Sequence, residues 1–199
     1  MEDKKTSGEN HLYPVFLKLE QMRVLLVGAG NVALEKAHSL LANSPAAVIT
    51  VIAPEIKEEM KQLIDSHPQC KIIQRKFADE DLNGQDIVML ATDNRDLHKQ
   101  IKLSANARGL LVNVADTPDL CDFYLGSIVQ KGHLKLAIST NGMSPTIAKR
   151  LKEVFTDILP GELDEVIENL NQIKNTLTED FAGKVKHLNE LTKQLTTRK

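Results

Sequence analysis

The stretch VLLVGAGNVALEKAHSLL, Val24–Leu41, decides the architecture. Val24–Val27 is a short, wholly apolar run of the kind that forms a strand buried on both faces. Gly28-Ala29-Gly30 breaks it, after which Val32, Ala33, Ala37, Leu40 and Leu41 recur near helical spacing. Strand, glycine turn and helix make one unit, and the chain repeats the pattern. AVITVIA (47–53) is a second strand stopped by Pro54, and EIKEEMKQLID follows as a helix with Ile56, Met60, Leu63 and Ile64 on one face. KIIQRKF and DIVMLATD read as the third and fourth strands. LHKQIKLSANARG is a helix with Gly109 as its C-cap, and LLVNVAD is the fifth strand. Such alternation predicts an α/β fold: a Rossmann-like, doubly wound parallel sheet with right-handed crossovers.

The pattern changes after residue 115. Two apolar runs flank Lys131-Gly132-His133, a hairpin without an intervening helix. SPTIAKRLKEVFTDIL then opens with serine and proline where a helix N-cap and first turn belong. Beyond Pro160-Gly161, one amphipathic helix is marked by Leu163, Val166, Ile167, Leu170 and Ile173. Another is marked by Phe181, Val185, Leu188, Leu191 and Leu195. The expected organisation is a flexible leader over 1–11 and a Rossmann domain over 12–115. A dimerisation and substrate-site segment over 116–150 and a small helical C-terminal domain over 151–199 complete it.

With 25 basic and 27 acidic side chains the net charge is −2, which argues against nucleic acid or an anionic membrane as the main partner. No apolar run approaches the roughly 18 residues that suggest a membrane span. The opening residues lack the apolar core of a secretory signal. Cys70 and Cys121 form no CxxC pair and read as reduced residues of a cytoplasmic protein. The six histidines show no ligand spacing, so no metal site is expected.

Gly28, Gly30 and Ala33 fit G-x-G-x-x-A in the strand–turn–helix setting that a dinucleotide fingerprint requires. Gly28 permits the tight turn, Gly30 lets a pyrophosphate approach, and Ala33 allows close helix–sheet packing. Free N–H groups around Asn31 and Val32 then face the phosphate. The second strand ends Ala53-Pro54-Glu55. Glu55 reads either as the ribose ligand or as the start of the next helix, and no arginine stands there for a 2′-phosphate. NAD is therefore expected rather than NADP.

LYPVFLKLEQMRVLLVGAGNVALEKA, VIAPEI, ATDNRDLHKQI, VNVADTPDLCDF and AISTNGMSPTIAKRLKE occur in an order that resembles the siroheme synthase amino-terminal domains, over about 12–160. These are precorrin-2 dehydrogenases, some of which are also sirohydrochlorin ferrochelatases. The resemblance implies a cytoplasmic homodimer that oxidises precorrin-2 to sirohydrochlorin with NAD. In bifunctional members the same cleft inserts Fe2+ as a substrate. Where the family continues after LCDF with apolar residues and a proline, this chain has Tyr124-Leu125-Gly126, which weakens the ferrochelatase expectation but not the dehydrogenase one.

Asp116 matches the family's catalytic aspartate; on its own spacing, an aspartate before Thr117-Pro118 reads more readily as a turn residue. Thr92 and Asp93 end the fourth strand and Asn113 lies in the fifth; position and resemblance put them on the nicotinamide side of the cleft, and each could instead be a helix cap or turn residue. Thr140, Asn141 and Ser144, with Lys149 and Arg150, suit a substrate rich in carboxylates through a helix N-terminus and two cations. The bland alternative is a capped helix with solvated bases. The competing class is a non-enzymatic NAD(H)-sensing module, which has the same fold but needs neither a base nor a carboxylate site.

Overall fold

The computed structural model describes residues 9–178 and 180–193. Residues 1–8 of the expected leader, and Leu195 of the last helical face, lie outside the described residues. The elements run β1 (Arg23–Val27), α1 (Asn31–Asn43), β2 (Val48–Ala53), α2 (Glu58–Asp65), β3 (Lys71–Gln74), β4 (Ile87–Leu90), α3 (Arg95–Ala107) and β5 (Leu111–Val114). They continue with β6 (Ser127–Lys131), β7 (Leu134–Ile138), α4 (Pro145–Ile158), α5 (Leu163–Thr176) and α6 (Phe181–Thr192).

The first five strands form one parallel sheet in the order β3-β2-β1-β4-β5, the Rossmann-like arrangement expected. Alternate side chains of the apolar strands go to opposite faces. Val24 and Leu26 pack with Ala33, Ala37, Leu40, Leu41, Met60 and Ile64, whereas Leu25 and Val27 pack with Leu82, Ile101 and Ala105. Both faces are covered, which is why these strands have no polar side. The chain leaves β1 toward β2 and later returns to β4 on the other side of β1. The order therefore reverses between β1 and β4, where such sheets open a crevice at their carboxyl ends.

Gly28 fits this crevice closely. Its φ is +114°, and a Cβ there would fall on the Ala91 carbonyl oxygen at the end of β4. Its N–H donates to the Ile52 carbonyl at 2.9 Å, and the Ala91 N–H donates to the Val27 carbonyl at 2.9 Å. The turn is thus tied to β2 and wedged against β4.

Two helix starts differ from the sequence reading. α2 begins at Glu58 rather than near Glu55, because Pro54 holds Ala53 extended and residues 54–57 carry the chain off the strand. α3 begins at Arg95, two residues early, because Asn94 Oδ1 accepts from the Leu97 N–H at 3.0 Å and caps it. Beyond β5, Asp122 pairs with the sheet edge in place of a sixth strand. Its N–H donates to the Val112 carbonyl at 2.8 Å, and its carboxylate accepts from the Val112 N–H at 2.8 Å and forms an ion pair with Lys102 Nζ at 2.5 Å.

The chain forms two compact units, and the division is not sequential. One holds the residues up to Gly126 together with Ser139–Pro145; the other holds Ser127–Ile138 and the residues from Thr146 onward. In the second unit β6 and β7 pair antiparallel, with Val129 opposite Leu136. Asp164, in the first turn of α5, seats its carboxylate where a side chain at Gly132 would go. The carboxylate accepts from the His133 N–H at 2.6 Å and lies 2.8 Å from Nδ1. The hydrogen bond from Asp164 holds the His133 pKa above its ordinary value, and the bonds from His133 hold the Asp164 carboxyl below its own.

The His133 contribution is complete below about pH 6.5 and fades as pH rises through the raised folded value; that of Asp164 is complete above about pH 4 and fades as pH falls through the lowered one. Protection of the His133 amide against hydrogen exchange is therefore expected to peak between these limits, and Asp164→Asn should remove the peak. Gly28→Ala places a side chain on the Ala91 carbonyl at positive φ, and should cost about 2 kcal/mol or more, read as a lower urea midpoint.

Candidate active site

Above the carboxyl ends of β1, β4 and β5 lies a cleft of about 310 Å³, lined by Val32, Ala91, Thr92, Asp93, Arg95, His98, Ala115, Asp116 and Thr117. Its volume is at the small end for a ligand pocket, sized for the reacting end of a cofactor rather than the whole molecule. One wall is the first turn of α1. Gly30 stands at the N-cap position, exposed, with no atom within 4 Å of where a Cβ would be. Open space over the glycine and the unpaired N–H groups that begin any helix make a seat for a pyrophosphate. Ala33 is fully buried against the sheet, so the close packing expected of it is present.

The residues of this turn fit a dinucleotide. Val32 is 42% exposed, a branched apolar side chain held in the cleft instead of the core. Asn31 Oδ1 accepts from Lys57 Nζ, which brings a cation from the loop after β2 to the positive end of α1. Pro54 and Glu55 are exposed at the tip of β2; the Pro54 carbonyl accepts from Gln74 Nε2 at 3.3 Å, and the Glu55 side chain is open to solvent.

Of the other candidates, Thr92, Asp93 and Asp116 converge on the cleft with Val32. Asp116 follows β5 directly, in the left-handed region at φ +53°, exposed at the cleft wall. Asn113 is 4% exposed and faces inward. Its Oδ1 accepts from Lys36 Nζ at 2.8 Å and its Nδ2 donates to the Phe123 carbonyl at 2.8 Å, so it ties α1 and the returning chain to β5 from beneath.

Thr140, Asn141 and Ser144 form a turn of their own. The Ser144 N–H donates to Thr140 Oγ1 at 3.1 Å, and Asn141 sits at φ +53° with its N–H donating to Ser139 Oγ at 3.2 Å. None of the three lines the cleft. Lys149 and Arg150 belong to the second unit and are exposed; Arg150 Nη1 pairs with Glu153 Oε2 at 2.6 Å.

Five residues that line the cleft went unread in the sequence, Ala91, Arg95, His98, Ala115 and Thr117, as did Lys36, which bonds to Asn113. Lys36 is half-buried on α1, and burial holds its pKa below the ordinary lysine value against the opposing pull of Cys121, Asp116 and Glu35. The Cys121 thiol is enclosed by Val114, donating to its carbonyl at 3.2 Å and accepting from its N–H at 3.2 Å.

Comparison with known proteins agrees with this geometry. The family described as "Putative NAD(P)-binding" matches residues 15–127, and the one described as "Sirohaem biosynthesis protein central" matches residues 131–156. The chain belongs to the NAD(P)-binding family and carries the sirohaem biosynthesis segment beside it, the siroheme synthase amino-terminal pairing expected from the sequence. It is 37% identical over 148 residues to the siroheme synthase of Psychrobacter arcticus, covering 74% of this chain and 26% of that protein. It is 36% identical over 169 residues to that of Tolumonas auensis, covering 82% and 35%. The chain thus spans about a quarter to a third of these relatives. A solved structure, SirC, a precorrin-2 dehydrogenase, superposes with a TM-score of 0.74 at 27% identity, covering 93% of each chain.

Because nothing crowds position 30, Gly30→Asp should fold normally and place a carboxylate where the pyrophosphate belongs. NAD binding, followed by calorimetry, should fall at least about tenfold while the urea midpoint stays near wild type.

Proposed function

We propose that this protein is an NAD-dependent precorrin-2 dehydrogenase of siroheme biosynthesis, with Asp116 as its base. The observation that carries the reading is the convergence of Val32, Thr92, Asp93 and Asp116 on one cleft beside the open Gly30 turn. The likeness to SirC over 93% of both chains supports the same assignment.

Oxidation of precorrin-2 to sirohydrochlorin removes two hydrogens, one as hydride and one as a proton. NAD supplies the hydride acceptor when bound. The residues of this chain do the rest. Gly30 and the N–H groups of Asn31 and Val32 would hold the pyrophosphate at the start of α1, which Ala33 packs against the sheet, with Pro54 and Glu55 toward the adenosine ribose. Val32, Thr92 and Asp93 flank the nicotinamide end, and Asn113 fixes the floor. Asp116 takes the proton. Carboxylates in water are weak bases at neutral pH. A macrocycle laid over its exposed carboxylate would exclude water and raise its proton affinity in the complex.

The substrate's carboxylates call for donors and cations, the role given to Thr140, Asn141, Ser144, Lys149 and Arg150. Within the second unit, α4 presents Ile147, Leu151, Val154 and Ile158 as an apolar face, 38–63% exposed, which suits a homodimer contact. The reading keeps 116–150 for dimerisation and substrate binding and 151–199 for a helical C-terminal domain, with α4 running across the boundary between them. Among the described residues no helix is long and apolar enough to cross a membrane. Two free cysteines suit the cytoplasm.

Purified protein given enzymatically made precorrin-2 and NAD under anaerobic conditions should form sirohydrochlorin, followed by absorbance. Adding Fe2+ as a second substrate tests insertion to siroheme. Asp116→Asn should cut turnover about a hundredfold or more with NAD affinity within twofold of wild type. NAD binding without any turnover by the wild-type protein would leave a sensing module as the function.

A further inference from the structure

His98 is the one histidine that lines the cleft, and nothing in the reaction as drawn uses it. It stands in the second turn of α3, only 3% exposed, which is unusual for an imidazole on a surface helix. Its Nε2 lies 2.9 Å from Thr92 Oγ1 and 3.4 Å from the Thr92 backbone nitrogen. A backbone N–H can only donate. Both contacts therefore hold together when Nε2 is the unprotonated acceptor and the ring proton resides on Nδ1. The Thr92 hydroxyl then donates to Nε2 and accepts from the Asn94 N–H at 3.3 Å. Every rotor of Thr92 is fixed by this arrangement, at a point where the chain leaves β4 and has no ladder of its own.

We propose that His98 is a positioning residue of the cofactor site: as a neutral acceptor it locks Thr92, and with it the wall between β4 and α3 against which the nicotinamide end packs. The inference rests on the cofactor reading above and adds to it the residue that shapes this wall. Other charged groups facing the cleft are Asp93 from the loop after β4, Arg95 from the first turn of α3 and Asp116 from the loop after β5. Burial outweighs the pull of Asp93 and holds the His98 pKa below the ordinary imidazole value.

The consequence has a definite sign. The unfolded chain takes up the proton more readily than the folded one, so the locked wall is complete above about pH 6.5 and is lost as pH falls through the lower folded value. Once Nε2 is protonated, its N–H points at the Thr92 N–H, and donor meets donor.

Imidazole 15N chemical shifts of the cofactor-free protein at pH 8 test the bond itself: an unprotonated Nε2 with the proton on Nδ1 is expected, and the opposite tautomer would overturn the proposal. NAD affinity by calorimetry from pH 5 to 8 tests its effect. Wild-type affinity should fall in acid. His98→Leu should weaken NAD binding about three- to tenfold at pH 8, the effect of one hydrogen bond. His98→Gln keeps an acceptor without a titrating proton, so it should bind within about twofold of wild type at pH 8 and lose the acid fall. An acid fall in His98→Gln equal to wild type, or undiminished binding by folded His98→Leu, would overturn the role. Failure of the wild-type protein to bind NAD at any pH would instead remove the cofactor reading, and the 15N result would still decide the bond.

Discussion

The contact between Gly28 and the Ala91 carbonyl governs the site. Two strands far apart in sequence end side by side at β1 and β4, and their exit loops must leave in different directions without filling the space between. Positive φ at Gly28 turns the chain sharply, and the missing side chain lets the carbonyl of Ala91 close over it. The start of α1 is thereby fixed relative to the end of β4. The helix N-terminus proposed to receive a pyrophosphate and the wall formed by Thr92 and Asp93 inherit their spacing from that contact. Gly30 has the opposite task, since its surroundings are empty and remain so only while it carries no side chain. Two glycines two residues apart thus answer to different constraints, one to packing and one to a ligand.

The fold was legible because its information is local and repeated. Apolar runs of four to six residues, each followed by a helical period, can bury both faces only as a parallel sheet with crossovers, and the observed strand order follows from that. The boundaries that slipped were those where a side-chain bond decided the matter. Asn94 starts α3 two residues early by capping the Leu97 N–H, a signal present in the sequence but hidden by the weak apolar period before Leu97. α2 starts late because Pro54 acts on the residue before it and the loop to Lys57 stays extended.

The site was legible only in part, for a physical reason. Gly28, Gly30, Ala33 and Asp116 announce themselves through backbone demands or position at a strand end. Lys36 and His98 do not. Each adjoins a helix face that is otherwise apolar, where a polar residue in a sequence looks like an ordinary boundary residue. Their roles appear only when the sheet brings Asn113 to one and the Thr92 turn to the other. Conversely, the strand position of Asn113 suggested a residue facing the ligand. The 2.8 Å bonds to Lys36 and the Phe123 carbonyl direct it inward, toward holding the chain that carries Asp116.

That inward bond bears on the chemistry. Asp116 stands two residues past β5 in the left-handed region, which aspartate enters more readily than most residues. The strand that leads to it is held from beneath. Asn113 anchors to Lys36 and Phe123, the Cys121 thiol bridges both polar groups of Val114, and Asp122 locks Val112 to Lys102. Side-chain ties at three consecutive residues, Val112, Asn113 and Val114, hold a strand that has β4 on one side and no strand on the other. If Asp116 is the base proposed for it, its carboxylate has to be held in place, and a lone loop would not hold it. Lys36 adds a cation under the same segment, its pKa lowered by burial against the pull of Cys121, Asp116 and Glu35. The acidic group at the cleft wall is thus fixed from the protein side while the cleft above it stays open.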